Sequence, residues 1–168
     1  ISLENLFLAW EEFRRGKTAR KDVQEFEWKL EQNIFSLYRD LLSRQYKHGA
    51  YQGFMICDPK QRKIHKASVR DRVLHHAVFK ILNPLFEPTF IAHSFSCREG
   101  KGTHKAVDAL EEWLRKTSRN YTAQCFALKC DIHQFFASVD QTVLLSILAK
   151  IIKDDDALWL LKEIVGSF

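Results

Sequence analysis

Over most of its length this chain repeats its apolar residues every three or four positions, and that spacing commits it to amphipathic helices. Leu3, Leu6, Phe7, Trp10 and Phe13 define one face over residues 2–14. Gly16 ends that run, and the basic stretch 14–21 reads as a loop or solvated turn. Val23, Phe26, Leu30, Ile34, Leu37 and Leu41 share one face of a second, longer helix that runs to Arg44. From Asp71 the helical period returns, with Leu74, Ala77, Val78, Ile81, Leu82 and Leu85 as its buried face and with Pro84 and Pro88 to bend or end it. Thr103 can cap a further helix whose Ala106, Val107, Leu110 and Leu114 face inward. Asp140 caps another, carrying Leu144, Leu148 and Ile151, and residues 157–165 form the last.

Two stretches break the helical period. Residues 46–57 suggest a turn and then a short strand, Asp58-Pro59-Lys60-Gln61 has turn chemistry, and Arg62 to Lys66 read as the returning strand. The result is a β-hairpin with a basic tip. Further on, Phe126, Leu128, Cys130 and Ile132 alternate with Ala127, Lys129 and Asp131, which is the period of a strand with one apolar face. Residues 89–103 are irregular, and there is no internal repeat. The expected class is α+β, dominated by helices.

Composition narrows the partners. Apolar residues make up 46% of the 168, which is globular rather than disordered. The longest apolar runs are a few residues, too short to span a membrane, and no charged start leads into an apolar run of the secretory kind. The chain opens on Ile1 and stops after a helical stretch, so a piece of a longer protein is expected. The net charge of +5 points to an anionic partner, nucleic acid first. Arg14, Arg15, Lys17, Arg20 and Lys21 fall together without an acid, and Lys60, Arg62, Lys63, Lys66, Arg70 and Arg72 form a second cluster beside Asp58 and Asp71. Cys57, Cys97, Cys125 and Cys130 form no Cys-x-x-Cys pair. With His133 they lack zinc-site spacing and read as reduced thiols of a cytosolic protein.

Asp131, at the end of the apolar strand, could project into a cleft as a rigid Mg²⁺ ligand or could be an ordinary edge-strand acid. Gly100-Lys101-Gly102-Thr103 could hold a phosphate on backbone N–H groups or form a solvated loop. It lacks P-loop spacing, which excludes nucleotide hydrolysis of that type. Asp154-Asp155-Asp156 precedes a helix, where acids suit the positive end of the dipole. His75 and His76 fall on a helix with an apolar face and without a metal partner.

The stretch Asp131-Ile132-His133-Gln134-Phe135-Phe136 resembles the first catalytic motif of bacterial reverse transcriptases of the group II intron and diversity-generating retroelement type. Three other segments resemble blocks of that family in the same order. They are Lys60–Ile64 with Arg70–Ala77, then Leu85-Phe86-Glu87-Pro88-Thr89-Phe90, then Ser94–Ala106. Together the resemblance covers residues 5–150. Where many relatives carry His after the acid that starts the next helix, Gln141 stands after Asp140.

The resemblance implies the fingers and partial palm of a right-hand polymerase. Residues 1–45 would be an N-terminal helical extension, 46–120 the fingers and 121–168 the start of the palm, ending before the Tyr-x-Asp-Asp motif. It implies an RNA-directed DNA polymerase of the bacterial cytoplasm. Its partners would be an RNA template, a DNA or RNA primer, a dNTP and a small basic accessory protein. Asp131 would be catalytic and would bind Mg²⁺ with the Ile132 carbonyl. Phe136 would exclude a 2′-hydroxyl, or else pack in the core. Arg62 and Lys63 would reach the triphosphate. Arg70, Arg72, Arg98 and Lys101 are candidate template contacts, with a structural ion pair to Asp71 as the other reading of the first two. With Asp131 alone, this stretch is expected to make no DNA. The alternative is a reverse-transcriptase-like module that binds nucleic acid without catalysis.

Overall fold

The computed structural model describes residues 2–168. Its elements are α1 Leu3–Arg14, α2 Lys21–Trp28, α3 Leu30–Leu42, β1 Gln52–Cys57, β2 Gln61–Lys66, α4 Val69–Phe86, α5 Thr103–Thr117, α6 Phe135–Ser138, α7 Gln141–Ile151 and α8 Asp155–Val165. A single 3-10 turn, Glu87–Thr89, follows α4. Among the described residues the sheet is one antiparallel pair, β1 against β2. The fold is helix-dominated α+β. The chain divides into two compact units, residues up to Asn83 with Asp140–Phe168, and Pro84–Val139.

The first unit holds the core. Leu6, Ala9, Trp10 and Phe13 of α1 are fully buried with Val23 of α2, Ile34 and Leu37 of α3, Val73, Leu74 and Ala77 of α4, and Leu160 of α8. Each of the larger apolar side chains contributes about 1.5–3 kcal/mol by leaving water. Rings interlock at the centre, with Trp10 5.2 Å from Phe26 and 6.0 Å from Phe13. Polar ties close the rim. Asn5 Nδ2 donates to the Ala77 carbonyl at 3.1 Å, and Lys80 meets Glu12 at 2.8 Å. Lys47 pairs with Glu163 of α8 at 2.8 Å. Gly16, at φ 68°, supplies the left-handed residue that ends α1.

Several elements depart from expectation. The long helix after residue 22 is two, because Lys29 leaves helical geometry at φ −122°, ψ 37°. At the break the Phe26 carbonyl accepts from the Lys29 N–H at 3.3 Å and from Asn33 Nδ2 at 2.9 Å. The break also lets α2 lay Phe26 on Trp10 while α3 keeps its own line along α1. Thr103 does not cap α5; Gly102 occupies the cap at φ 108°, and Thr103 is the first helical residue. α4 continues past Pro84 to Phe86, although the proline removes one N–H donor and crowds the carbonyl four residues back. Its outer half is not the buried face expected, as Ile81 is 48% and Leu85 50% exposed.

The second unit is thinly packed. Ser118 is its one fully buried residue among those described, and Val107, Leu110 and Trp113 of α5 lie exposed. The strand expected over 126–132 does not form. Phe126 and Leu128 stand 88% and 90% exposed, with no ladder on either side. Alternation alone cannot hold a strand, because a strand exists only through the neighbours that take its N–H and C=O groups.

Candidate functional site

In the hairpin, Phe54 faces Ile64, Ile56 faces Arg62 and Met55 faces Lys63. Arg62 and Lys63 are adjacent on β2, so their side chains leave by opposite faces. Both are exposed, and neither enters an ion pair among the described residues. The cations nearer the body are differently placed. Lys66 and Arg72 both meet Asp22 Oδ2, at 2.7 and 2.6 Å. Partial burial opposes ionisation of Asp22, but the hydrogen bonds from Lys66 and Arg72 outweigh it and hold its carboxyl below the ordinary value. Arg72 also lies over the Phe13 ring. Arg70 donates to Asp40 at 2.6 Å and lies over Tyr46. Thus Arg70 and Arg72 are both engaged in ion pairs, with main partners Asp40 and Asp22 rather than Asp71.

Asp71 itself is almost wholly buried, at 1% exposure. Its carboxylate accepts from the Tyr46 hydroxyl at 2.8 Å, the Gly49 N–H at 3.1 Å and the Ser68 hydroxyl at 2.6 Å. Ser68 Oγ in turn accepts from the Asp71 N–H at 3.2 Å, a reciprocal cap at the start of α4. Burial, reinforced by the Asp71 carboxylate, raises the Tyr46 hydroxyl far above the usual phenol range. A Cβ on residue 49 would come within 2.9 Å of Asp71 Oδ2, so Gly49 is what lets the backbone close on the carboxylate. Beside this network, His48 donates from Nδ1 to its neighbour's carbonyl, Gly49 O, at 2.7 Å, and its Nε2 lies 3.2 Å from His75 Nε2. Burial, with help from His48, pushes the His75 imidazole down to about 4. In the sequence Asp71 reads only as a neighbour of two arginines. The Ser68-x-x-Asp71 spacing was the signal that could have found it.

In the second unit, Arg98 organises its loop. Its guanidinium meets Glu87 Oε1 at 2.7 Å and donates to the Ile91 and Ser94 carbonyls at 3.0 Å each. Lys101 Nζ donates to the Ala92 carbonyl at 2.8 Å. Gly102 N donates to Phe95 O, so that N–H is committed to the loop. Asp131 is exposed and makes no side-chain hydrogen bond or ion pair among the described residues, and Ile132 is 63% exposed. Phe136 follows Phe135 in the first turn of α6, ring centres 5.4 Å apart, and is 78% exposed, so it packs in no core among the described residues. No group of three or more His, Cys, Asp or Glu side chains converges among the described residues. The Asp154 run acts as read, with Asp154 accepting from the Ala157 N–H at 2.7 Å to cap α8. No helix among the described residues is long and apolar enough to cross a membrane.

No family model matches the chain. Over 94 residues, 56% of the chain, it is 29% identical to nuclear intron maturase 1, mitochondrial, of Arabidopsis thaliana. The chain is distantly similar to part of an intron maturase. The matched stretch is 12% of that protein's length, so most of the maturase has no counterpart here.

Proposed function

We propose that the chain forms the fingers and the beginning of the palm of an RNA-directed DNA polymerase of the intron-encoded and retroelement type. The observation that carries this reading is the hairpin. Arg62 and Lys63 stand exposed and unpaired within the described residues, on the segment that resembles the fingers block of those enzymes. The partial similarity to an intron maturase supports it. In this reading residues 1–45 are the N-terminal extension, 46–120 the fingers and 121–168 the palm's first part.

Arg62 and Lys63 neutralise the triphosphate of an incoming dNTP as charge builds on it. Phe136 sets its ring against the sugar and leaves no room for a 2′-hydroxyl. Arg70, Arg72, Arg98 and Lys101 contact the RNA template, the three arginines from positions held by ion pairs. An exposed, unpaired carboxylate is a hard oxygen donor of the kind Mg²⁺ takes, so Asp131 fits a magnesium ligand, with the Ile132 carbonyl beside it. The bound ion would supply neutralisation of phosphate charge during nucleotidyl transfer. Further carboxylates are needed for two-metal chemistry, so this stretch alone is expected to make no DNA.

The test is primer extension on RNA with Mg²⁺ by the longer protein that contains this sequence. Asp131→Ala is expected to abolish extension; undiminished extension overturns the assignment. A second reading is nucleic-acid binding without catalysis, for which the exposed Arg62 and Lys63, unpaired among the described residues, suffice. It predicts salt-sensitive RNA binding with no extension even by the unaltered longer protein.

A further inference from the structure

A two-stranded hairpin is at best marginally stable by itself, so its orientation is set where its two ends meet the body. Every residue of β1 is exposed, and so is most of β2. The ends are held together at one atom group. Three residues before β1 begins, the Gly49 N–H donates to Asp71, and Tyr46 donates to the same carboxylate from further back. Two residues after β2 ends, the Ser68 hydroxyl donates to it as well. Both feet of the hairpin therefore close on a single buried charge. Hydrogen bonds to a buried carboxylate are stronger than neutral ones, and leaving the charge short of donors is costly. Secondary ties flank this one. The ring of His48 reaches His75 at 3.2 Å, Tyr51 bonds Ser167 at 3.2 Å, and Lys66 meets Asp22.

From this geometry we infer that Asp71 is a positioning residue for the cationic hairpin, setting where Arg62 and Lys63 stand although it touches neither. Its influence on nucleotide binding rests on the reading of those two residues given above; its anchoring of the hairpin does not. Asp71→Asn turns an N–H toward groups that are themselves donors. Tyr46→Phe removes one hydroxyl at nearly constant shape, and Gly49→Ala drives a methyl against the carboxylate.

The experiment uses the chain as it stands, with folding of each variant checked by circular dichroism. Amide hydrogen exchange is expected to rise about tenfold or more across residues 50–68 in Asp71→Asn and Gly49→Ala, and less in Tyr46→Phe, with α1 and α3 unchanged. Unchanged exchange in the hairpin, or an increase spread evenly over the unit, overturns the anchor. If Asp71→Asn does not fold, Tyr46→Phe and Gly49→Ala decide the question. Equilibrium binding of dTTP with Mg²⁺ by the longer protein that contains this sequence is the second arm. Tyr46→Phe and Arg62→Ala are each expected to weaken it, and the double variant to lose little more than Arg62→Ala alone. Additive losses overturn the positioning role. If the unaltered longer protein binds no dTTP, the nucleotide-binding reading of Arg62 and Lys63 fails, together with the positioning role built on it, while the exchange arm still decides the anchor.

Discussion

His75 faces His48 from the loop before the hairpin, Asp71 one turn earlier on α4, and His76 beside it. Its imidazole titrates near 4, against 6.5 for the free side chain, chiefly because burial penalises the cation. A depressed value means the unfolded chain takes the proton first. The stabilisation is therefore complete above about pH 6.5 and is lost as pH falls toward 4, on the order of 2 kcal/mol after discounting for partial exposure. Urea denaturation at pH 7, 5 and 4 measures it. His75→Gln should flatten that acid limb, and an unchanged limb would assign the loss elsewhere. Burial also lowers His76, so a smaller loss in the same direction should remain. Asp22 contributes separately, below its ordinary carboxyl range, as its bonds to Lys66 and Arg72 are lost on protonation. Asp131 contrasts with all of these. Exposed and unpaired, it should tolerate Asp131→Ala within about 0.5 kcal/mol of stability.

Among the elements, the helices divide sharply by how well their apolar faces are covered. Trp10 and Leu37 are fully buried, and truncating either to Ala should cost about 3–5 kcal/mol by equilibrium unfolding. Leu110 on α5 is half exposed, and Leu110→Ala should cost well under half of that. The caps are a smaller matter. Asp140 accepts from the N–H groups of Thr142 and Val143, and Asp154 from that of Ala157. Replacing either by Ala should lose about 1 kcal/mol. These caps, the hairpin and the first helix were all legible in the sequence, because each depends on residues within a turn or two of one another. The break at Lys29 was not. Val23 to Leu41 form an unbroken helical pattern, and only Trp10, from another helix, makes it worthwhile for α2 to turn away.

For the whole molecule, charge is the property most open to measurement. The net +5 includes Arg70, Arg72 and Arg98, which are neutralised by Asp40, Asp22 and Glu87. Arg62 and Lys63 are not so paired among the described residues, and with Lys60 beside them they should contribute to any salt-dependent binding. Titration of single-stranded RNA against salt is expected to show log affinity falling linearly with log salt, and Arg62→Ala and Lys63→Ala should each reduce that slope by about 0.7. An equal effect from Arg72→Ala, with the fold intact, would show that its ion pair opens on binding.

Sequence alone determined the helix-dominated class, the hairpin with its cations and the ends of the capped helices, since periodicity, turn chemistry and caps are local. It also marked Asp131 by motif, but it could not supply the neighbours that would turn the alternation of Phe126 to Ile132 into a strand. Tertiary structure decided which charges are spoken for. Asp22 lies far from Arg72 along the chain, and Tyr46 and Gly49 approach Asp71 only once the loop has folded back on α4. A buried carboxylate must gather every donor it can reach, and which donors lie within reach is a property of the packed chain.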